Sequence, residues 1–378
     1  MRTLSSLAGV FAAMACALVL PGCDPKQNGE TPPSATSSPA ATTGTTSANG
    51  GSTDYLEAFE KPRKPEGALT IKVITNGNSP FWDSMGKGLA VGLKEVGAKG
   101  DWNAPQQTDH ASQKTLFEQT LAANPDGIAV SPIQAEAFVA VIDAAVDKKV
   151  PVITFDSDSP SSKRLAYIGT NNYEAGRAAG EAALKLFPNG GNFVAFVGNM
   201  SAENARQRYQ GFLDATQGKI QMLQEPYEDD KDAVGRAHSN VADAITRYGN
   251  KINGFLGLYS YNGPAIVDEV EKAGLLGKVK IICFDGEPRT LENLRKRKVD
   301  VTVVQKPYEF GRLAAHLLSL INRKGLSAAL DELEKEANKL GMKLDKQKRI
   351  LDTGVTVVTP ENADAFLAEL KARGLEST

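Results

Sequence analysis

Short β-rich runs alternate with longer helical patterns through most of this chain. The runs Leu69–Thr75, Gly127–Ser131, Pro151–Phe155, Asn192–Val197, Gly254–Tyr259, Val279–Phe284 and Val299–Val304 predict strands. Between the first two, in Phe81–Val96, the residues Met85, Leu89, Leu93 and Val96 recur at helical spacing and mark one buried face. Repeated alternation of this kind predicts parallel strands joined by helical crossovers, with the sheet covered on both sides. A charge-rich helical pattern follows Gly325, and Leu326–Lys348 reads as a surface insertion with no chemistry of its own.

The pattern is broken at the N-terminus. Behind Arg2, residues 4–23 (LSSLAGVFAAMACALVLPGC) form an apolar run that closes on small residues and a cysteine, the order of a secretory signal. Leu20-Pro21-Gly22-Cys23 resembles a bacterial lipobox, which implies cleavage before Cys23 and diacylation of that residue. The alternative is an uncleaved anchor, since the uncharged stretch Thr3–Cys23 approaches the ~20 residues that span a bilayer. Cys16 is the weaker acceptor, because Ala13 stands where a large aliphatic residue belongs. From Asp24 to about Thr53 the chain is almost wholly Pro, Ser, Thr, Gly, Ala and Asn, a flexible tether. The expected globular part, from about Lys64 to Thr378, exceeds the roughly 250–300 residues at which single cores tend to split, so two lobes are expected.

Composition and motifs exclude several classes of function. The net charge of −2 exerts no pull toward nucleic acid, and the basic run Arg295–Lys298 reads as a solvated helix end. Beyond the leader, Cys283 is the one cysteine besides Cys23, so no intramolecular disulfide is expected and stability rests on the core. Gly86, Gly88 and Gly92 approximate a dinucleotide fingerprint, but Val91 holds the third glycine's place and the strand ends some ten residues earlier. Helix-packing glycines are the better reading. His110, His238 and His316 stand far apart, which argues against a metal site or a histidine triad. Neither a Walker-type loop nor a Gly-x-Ser-x-Gly elbow occurs, and no enzyme activity or cofactor is expected.

One internal similarity stands out. NPDGIAVSPIQAEAFVAVIDAAVDKKVPVITFD (124–156) and KINGFLGLYSYNGPAIVDEVEKAGLLGKVKIICFD (251–285) share the order strand, polar loop, helix, basic turn, strand, Phe-Asp. Two lobes built alike would explain it, although any two strand–helix–strand units share much of that order. Each copy ends with an aspartate, Asp156 or Asp285, just past a parallel strand, where ligands bind in open α/β sheets. Phe81 and Trp82 follow the first strand and are either core residues or a stacking platform. With Arg208 and Gln305 at comparable loops, the set suits a neutral polyhydroxylated ligand: carboxylates accept from hydroxyls, arginine donates, and a ring packs on C–H faces. Taken singly, each charged residue also fits a surface ion pair.

These segments together resemble the periplasmic sugar-binding proteins of the ribose and allose type, the solute-binding subunits of ABC importers. The resemblance covers about residues 68–325 and resumes at 350–366, on NSPFW (78–82), NPDGIAVSP (124–132), VPVITFDSD (150–158), YIGTNNYEAGRAAG (167–180), ARQRYQGF (205–212), CFDG (283–286), VVQKPYEFG (303–311) and LDTGVTVVTPEN (351–362). It implies two Rossmann-like α/β lobes with parallel sheets and three crossings near Thr170, Gln305 and Leu351. Residues 64–170 plus 306–350 would form one lobe and 171–305 plus 351–378 the other, after a signal peptide at 1–22 and a linker at 23–63.

The resemblance places stacking rings on Phe81 and Trp82, with Ser79 where a ligand-binding asparagine is common. It places hydroxyl-binding carboxylates on Asp156 and Asp285, an arginine on Arg208 and a hinge-side glutamine on Gln305. The opposite lobe's asparagine falls on Asn262 or its place is taken by Tyr259, with Asn262 preferred. Ribose binders carry an arginine where this chain has Ser157, and an aromatic near Asp229. Asp158, and Asp229 or its neighbour Tyr227, are therefore expected to read another hydroxyl pattern. The function implied is capture of a sugar by a monomer, lipid-anchored in the periplasm or at the cell surface, for an ABC permease or a membrane sensor.

Overall fold

The computed structural model describes residues 54–64, 66–229, 233–376 and 378. Cys23 and the segments expected to be leader and tether, through Thr53, lie outside them. The chain enters a first lobe through β1 (Thr70–Ile74), α1 (Pro80–Val96), β2 (Lys99–Asn103), α2 (His110–Ala122), β3 (Gly127–Val130), α3 (Ala135–Asp147), β4 (Val152–Phe155) and β5 (Tyr167–Gly169). A second lobe follows, with α4 (Asn172–Leu186), β6 (Gly191–Val197), α5 (Glu203–Thr216), β7 (Ile220–Met222), β8 (Tyr227–Glu228), α6 (Ala233–Tyr248), β9 (Gly254–Gly257), α7 (Asn262–Lys272), β10 (Lys280–Phe284), α8 (Pro288–Arg295) and β11 (Val301–Val304). The chain then returns to the first lobe as α9 (Pro307–Lys324), α10 (Leu326–Lys339), β12 (Lys343–Asp345) and β13 (Ile350–Asp352). It ends in the second with β14 (Thr356–Val358) and α11 (Ala363–Ala372).

The first sheet has the order β12-β13-β5-β4-β3-β1-β2, and the second β14-β11-β10-β9-β6-β7 with β8 also on β6. Pairing is parallel except at the β12–β13 and β11–β14 edges. The central strands β3, β4, β9 and β11 are buried at every position, as expected of a parallel sheet with helices on both faces. Three crossings join the lobes, at residues 170–171, 305–306 and 353–355. No helix among the described residues is long and apolar enough to cross a membrane.

Three expectations require correction. The folded part begins by Asp54, because Asp54–Phe59 is a 3-10 helix whose Phe59 is wholly buried in the first lobe's core. In Leu326–Lys348 only α10 is helical, and Leu326, Ala329, Leu330, Leu333 and Ala337 are buried on α9 and its surroundings. Most of the segment's charged residues face outward, Glu336 turning instead onto His316 of α9, while its aliphatic ones complete the core, and β12 then caps the sheet as an antiparallel edge. Leu351 is likewise inside the first sheet, paired with Ile168, so the third crossing starts at Thr353.

The glycines of the near-fingerprint are packing residues. A side chain at Gly88 would collide with the Tyr308 carbonyl oxygen of α9, and one at Gly92 with that of Arg312. The second lobe repeats the device, with Gly176 of α4 against the Arg208 carbonyl of α5. Replacing Gly88 with valine is expected to force α1 and α9 apart and to destabilise the protein by about 3 kcal/mol, the upper end for overpacking. A melting curve close to wild type would contradict this close packing.

Candidate functional site

Both sheets end in the same device. After β4 and β10 the chain turns at Asp156 (φ 58°) and Asp285 (φ 66°), left-handed conformations that aspartate tolerates better than most residues. Each turning residue still donates its N–H to the neighbouring strand, Asp156 to the Ile168 carbonyl at 3.1 Å and Asp285 to that of Val303 at 2.9 Å. The side chains are thereby projected beyond the strand ends into a cavity of about 110 Å³ lined by both lobes. Ser131 donates its hydroxyl to Asp156 Oδ2 at 2.8 Å, and the amides of Asn76 and Asn204 approach the same oxygen at 3.5 Å. Asn204 is on α5, so that last contact bridges the cleft. Asp285 Oδ1 accepts from Gln305 Nε2 at 2.9 Å.

Arg208 supplies the positive charge. It is 1% exposed, and its guanidinium sits 4.8 Å from the Phe284 ring centroid. Its Nε donates to Asn172 Oδ1 at 2.9 Å and its Nη1 to the Leu258 carbonyl at 2.8 Å. Nη2 is buried without a partner, and so is Oε1 of Gln305. Buried polar atoms of this kind cost free energy unless something meets them. Burial raises the Asp156 carboxyl to about 6 against the pull of Arg208, and burial raises Asp285 in the same way.

Phe81 and Trp82 are both core and wall. They pack edge-on at 4.8 Å within the first lobe's core, Trp82 meets Phe155 at 5.9 Å, and both rings line the cleft. Ser79 is the N-cap of α1, where Pro80 sets the helix start, and it lines the cleft with its hydroxyl making no capping bond. The structure thus brings Ser79, Phe81, Trp82, Asp156, Arg208, Asp285 and Gln305 to one cavity.

Three expected residues are elsewhere. Asp158 is held by the Arg164 guanidinium, at 2.6 Å from Nη2, and by the Thr154 hydroxyl, which staples the loop after β4. Asp229 and Asn262 bond each other, Asn262 Nδ2 donating at 2.7 Å, and Asn262 Oδ1 accepts the Tyr259 N–H at 2.9 Å. The pair therefore pins the turn that presents Tyr259, and Tyr259, not Asn262, lines the cleft. Tyr227 is also outside the cleft lining and donates to Asp243. Two wall residues lacked a firm expectation. Asn204 lies one helical turn before Arg208, a spacing that would have found it, and Tyr259 donates its hydroxyl to Asn204 Oδ1 at 3.1 Å.

The three histidines do not line the cleft. His316 bridges Glu95 at 2.7 Å and Glu336 at 3.0 Å, and His238 contacts Glu269 at 2.9 Å, so their carboxylate partners come from other elements of the chain. No metal-ligating cluster occurs among the described residues.

Residues 71–324 match the family described as Periplasmic binding protein domain. The ribose import binding protein RbsB of Bacillus subtilis is 24% identical over 255 residues, 66% of this chain and 80% of its own. A solute-binding protein of an ABC transporter from Burkholderia graminis, solved in complex with D-arabinose, superposes with a TM-score of 0.67 at 28% identity, over 79% of this chain and 98% of its own. The chain in the XylFII–LytSN complex gives a TM-score of 0.67 at 25% identity, over 78% and 99%.

Proposed function

The chain belongs to the periplasmic binding protein domain family, and from that premise we propose that it captures a monosaccharide or related polyol between its lobes and delivers it to an ABC permease. The observation that carries this reading is the unmatched polar set in the cleft. Arg208 Nη2 offers a donor and Gln305 Oε1 an acceptor, both buried, beside two carboxylates and the rings of Phe81 and Trp82. A polyol meets all of them, because a hydroxyl both donates and accepts and a sugar's C–H face packs on a ring. Ligand contacts to both lobes favour the closed arrangement, and the closed arrangement is what a membrane partner reads. No turnover is part of this proposal.

The test is a thermal-shift screen of the purified protein against a monosaccharide panel, since a ligand that binds only the native state raises its apparent stability. Scattering in the presence of the best ligand should give a smaller radius of gyration. A panel without a single shift would count against the sugar site. A second reading is supported by the XylFII–LytSN complex, in which a neighbour is held by a second protein: the closed form is presented to a membrane sensor and nothing is imported. A deletion strain that still takes up the ligand but loses a ligand-dependent response would favour it.

Lipid attachment at Cys23 would hold the receptor at the membrane, and Cys23→Ser is expected to release it to the soluble fraction or to leave a precursor. Fractionation with immunodetection checks this. A serine variant cut at the normal site yet still membrane-bound would contradict the anchor.

A further inference from the structure

The cleft is short of positive charge. Among the described residues, three charged side chains line it, Asp156, Asp285 and Arg208, exposed to only 3%, 3% and 1%. Two carboxylates therefore share one guanidinium in a site removed from water. The side-chain partners of both carboxylates are neutral: Asp156 has one hydroxyl at 2.8 Å and two amides at 3.5 Å, and Asp285 has the Gln305 amide at 2.9 Å. The next residue, Ser157, is buried and has no hydrogen-bond partner for its hydroxyl. The closest arginine in sequence, Arg164, is engaged with Asp158.

The hydrogen-bonding inventory leans the same way. The side-chain contacts to Asp156 fall on Oδ2, which leaves its Oδ1 as an acceptor, and Gln305 Oε1 is a second. Among the buried side-chain atoms of the described residues that line the cleft, Arg208 Nη2 is the unmatched donor. An anionic ligand, such as a sugar acid or a sugar phosphate, would add negative charge beside two buried carboxylates that have one guanidinium between them. An ammonium presents three donors and no acceptor and carries the missing charge.

Resting on the reading of this cleft as a sugar site, we propose that it takes an amino-substituted monosaccharide as its cation, with the ammonium beside Asp156, in preference to the hydroxylated parent. Burial holds the Asp156 carboxyl at about 6 in spite of Arg208, and a bound cation would bring it down.

Calorimetric titration of the full chain at pH 7 tests this with matched sets: glucose, glucosamine and N-acetylglucosamine, then the galactose and mannose equivalents, with glucuronate and glucose 6-phosphate as anions. At least one amino sugar should bind about tenfold or more tightly than both its hydroxyl parent and its neutral N-acetyl form. The anions should give no binding heat. In Asp156→Asn the advantage of the amine should vanish, and the ranking within the wild-type protein decides the matter should that variant fold poorly. If a neutral sugar binds and every amino counterpart is equal or weaker, the charge preference is overturned and the sugar site stands. If no member of the panel binds, the sugar site falls and the preference with it.

Discussion

Replacing Arg208 with methionine is expected to abolish ligand binding and to cost roughly 3–5 kcal/mol of stability at pH 7, the range for removing one partner of a buried charge set. The methionine fills much of the same volume, so the loss is electrostatic: Asp156 and Asp285 are left to face each other in the cleft without their common counter-charge. The sign of the pH dependence follows. Burial already raises both carboxyls, and without Arg208 they rise further. A carboxyl whose folded pKa exceeds its unfolded value of about 3.9 binds more protons folded than unfolded, so its contribution is present below about 3.9 and lost as pH rises. For wild-type Asp156 that loss is spread between about 4 and about 6. The variant should therefore recover stability relative to wild type as the pH is lowered from 7 to 5. Urea unfolding of both proteins at the two pH values checks this, and a deficit that does not change with pH would show that Arg208 acts through packing alone.

Asp156→Asn and Asp285→Asn should each weaken binding by about 10- to 150-fold, the loss of charge-assisted bonds worth roughly 1.5–3 kcal/mol. Folding should be unharmed. Asparagine tolerates the left-handed turn as well as aspartate does, and removing a buried charge relieves the burial that raises both carboxyls. Titration calorimetry beside melting curves separates the two effects. Wild-type affinity in both variants would remove the carboxylates from the site, and a loss in one alone would break the equivalence of the two strand ends.

That equivalence was readable in the chain itself. The two Phe-Asp endings of the internal similarity become two left-handed turns with the same N–H pairing to the next strand. The long apolar runs likewise read as strands because both faces are buried. What escaped was polar or brief. The strand β2, Lys-Gly-Asp-Trp-Asn, is a largely exposed edge with no apolar run to mark it, and β5, β12, β13 and β14 are three residues each.

Within the site, the errors have one cause. A carboxylate's role depends on which partner reaches it, and that is decided by the fold. Asp158 looked like a ligand residue until Arg164 turned back on it. Asn262 was preferred to Tyr259 for the same loop, and the choice was reversed by Asp229, 33 positions away from Asn262, which pulls the asparagine inward and leaves the tyrosine on the wall. Phe81 and Trp82 posed a false choice, since one pair of rings serves the core and the cleft together.

The three crossings have a consequence for how the protein is made. The first sheet lacks a flank until β13 lies beside β5, and α1 has no partner for its glycine face until α9 has been synthesised. A ribosome must therefore deliver more than 350 residues before the lobe that includes Asp54–Phe59 can close. Such long sequence separations slow folding, and a nascent chain that stays open almost to its last residue is one that can still be threaded through a narrow pore.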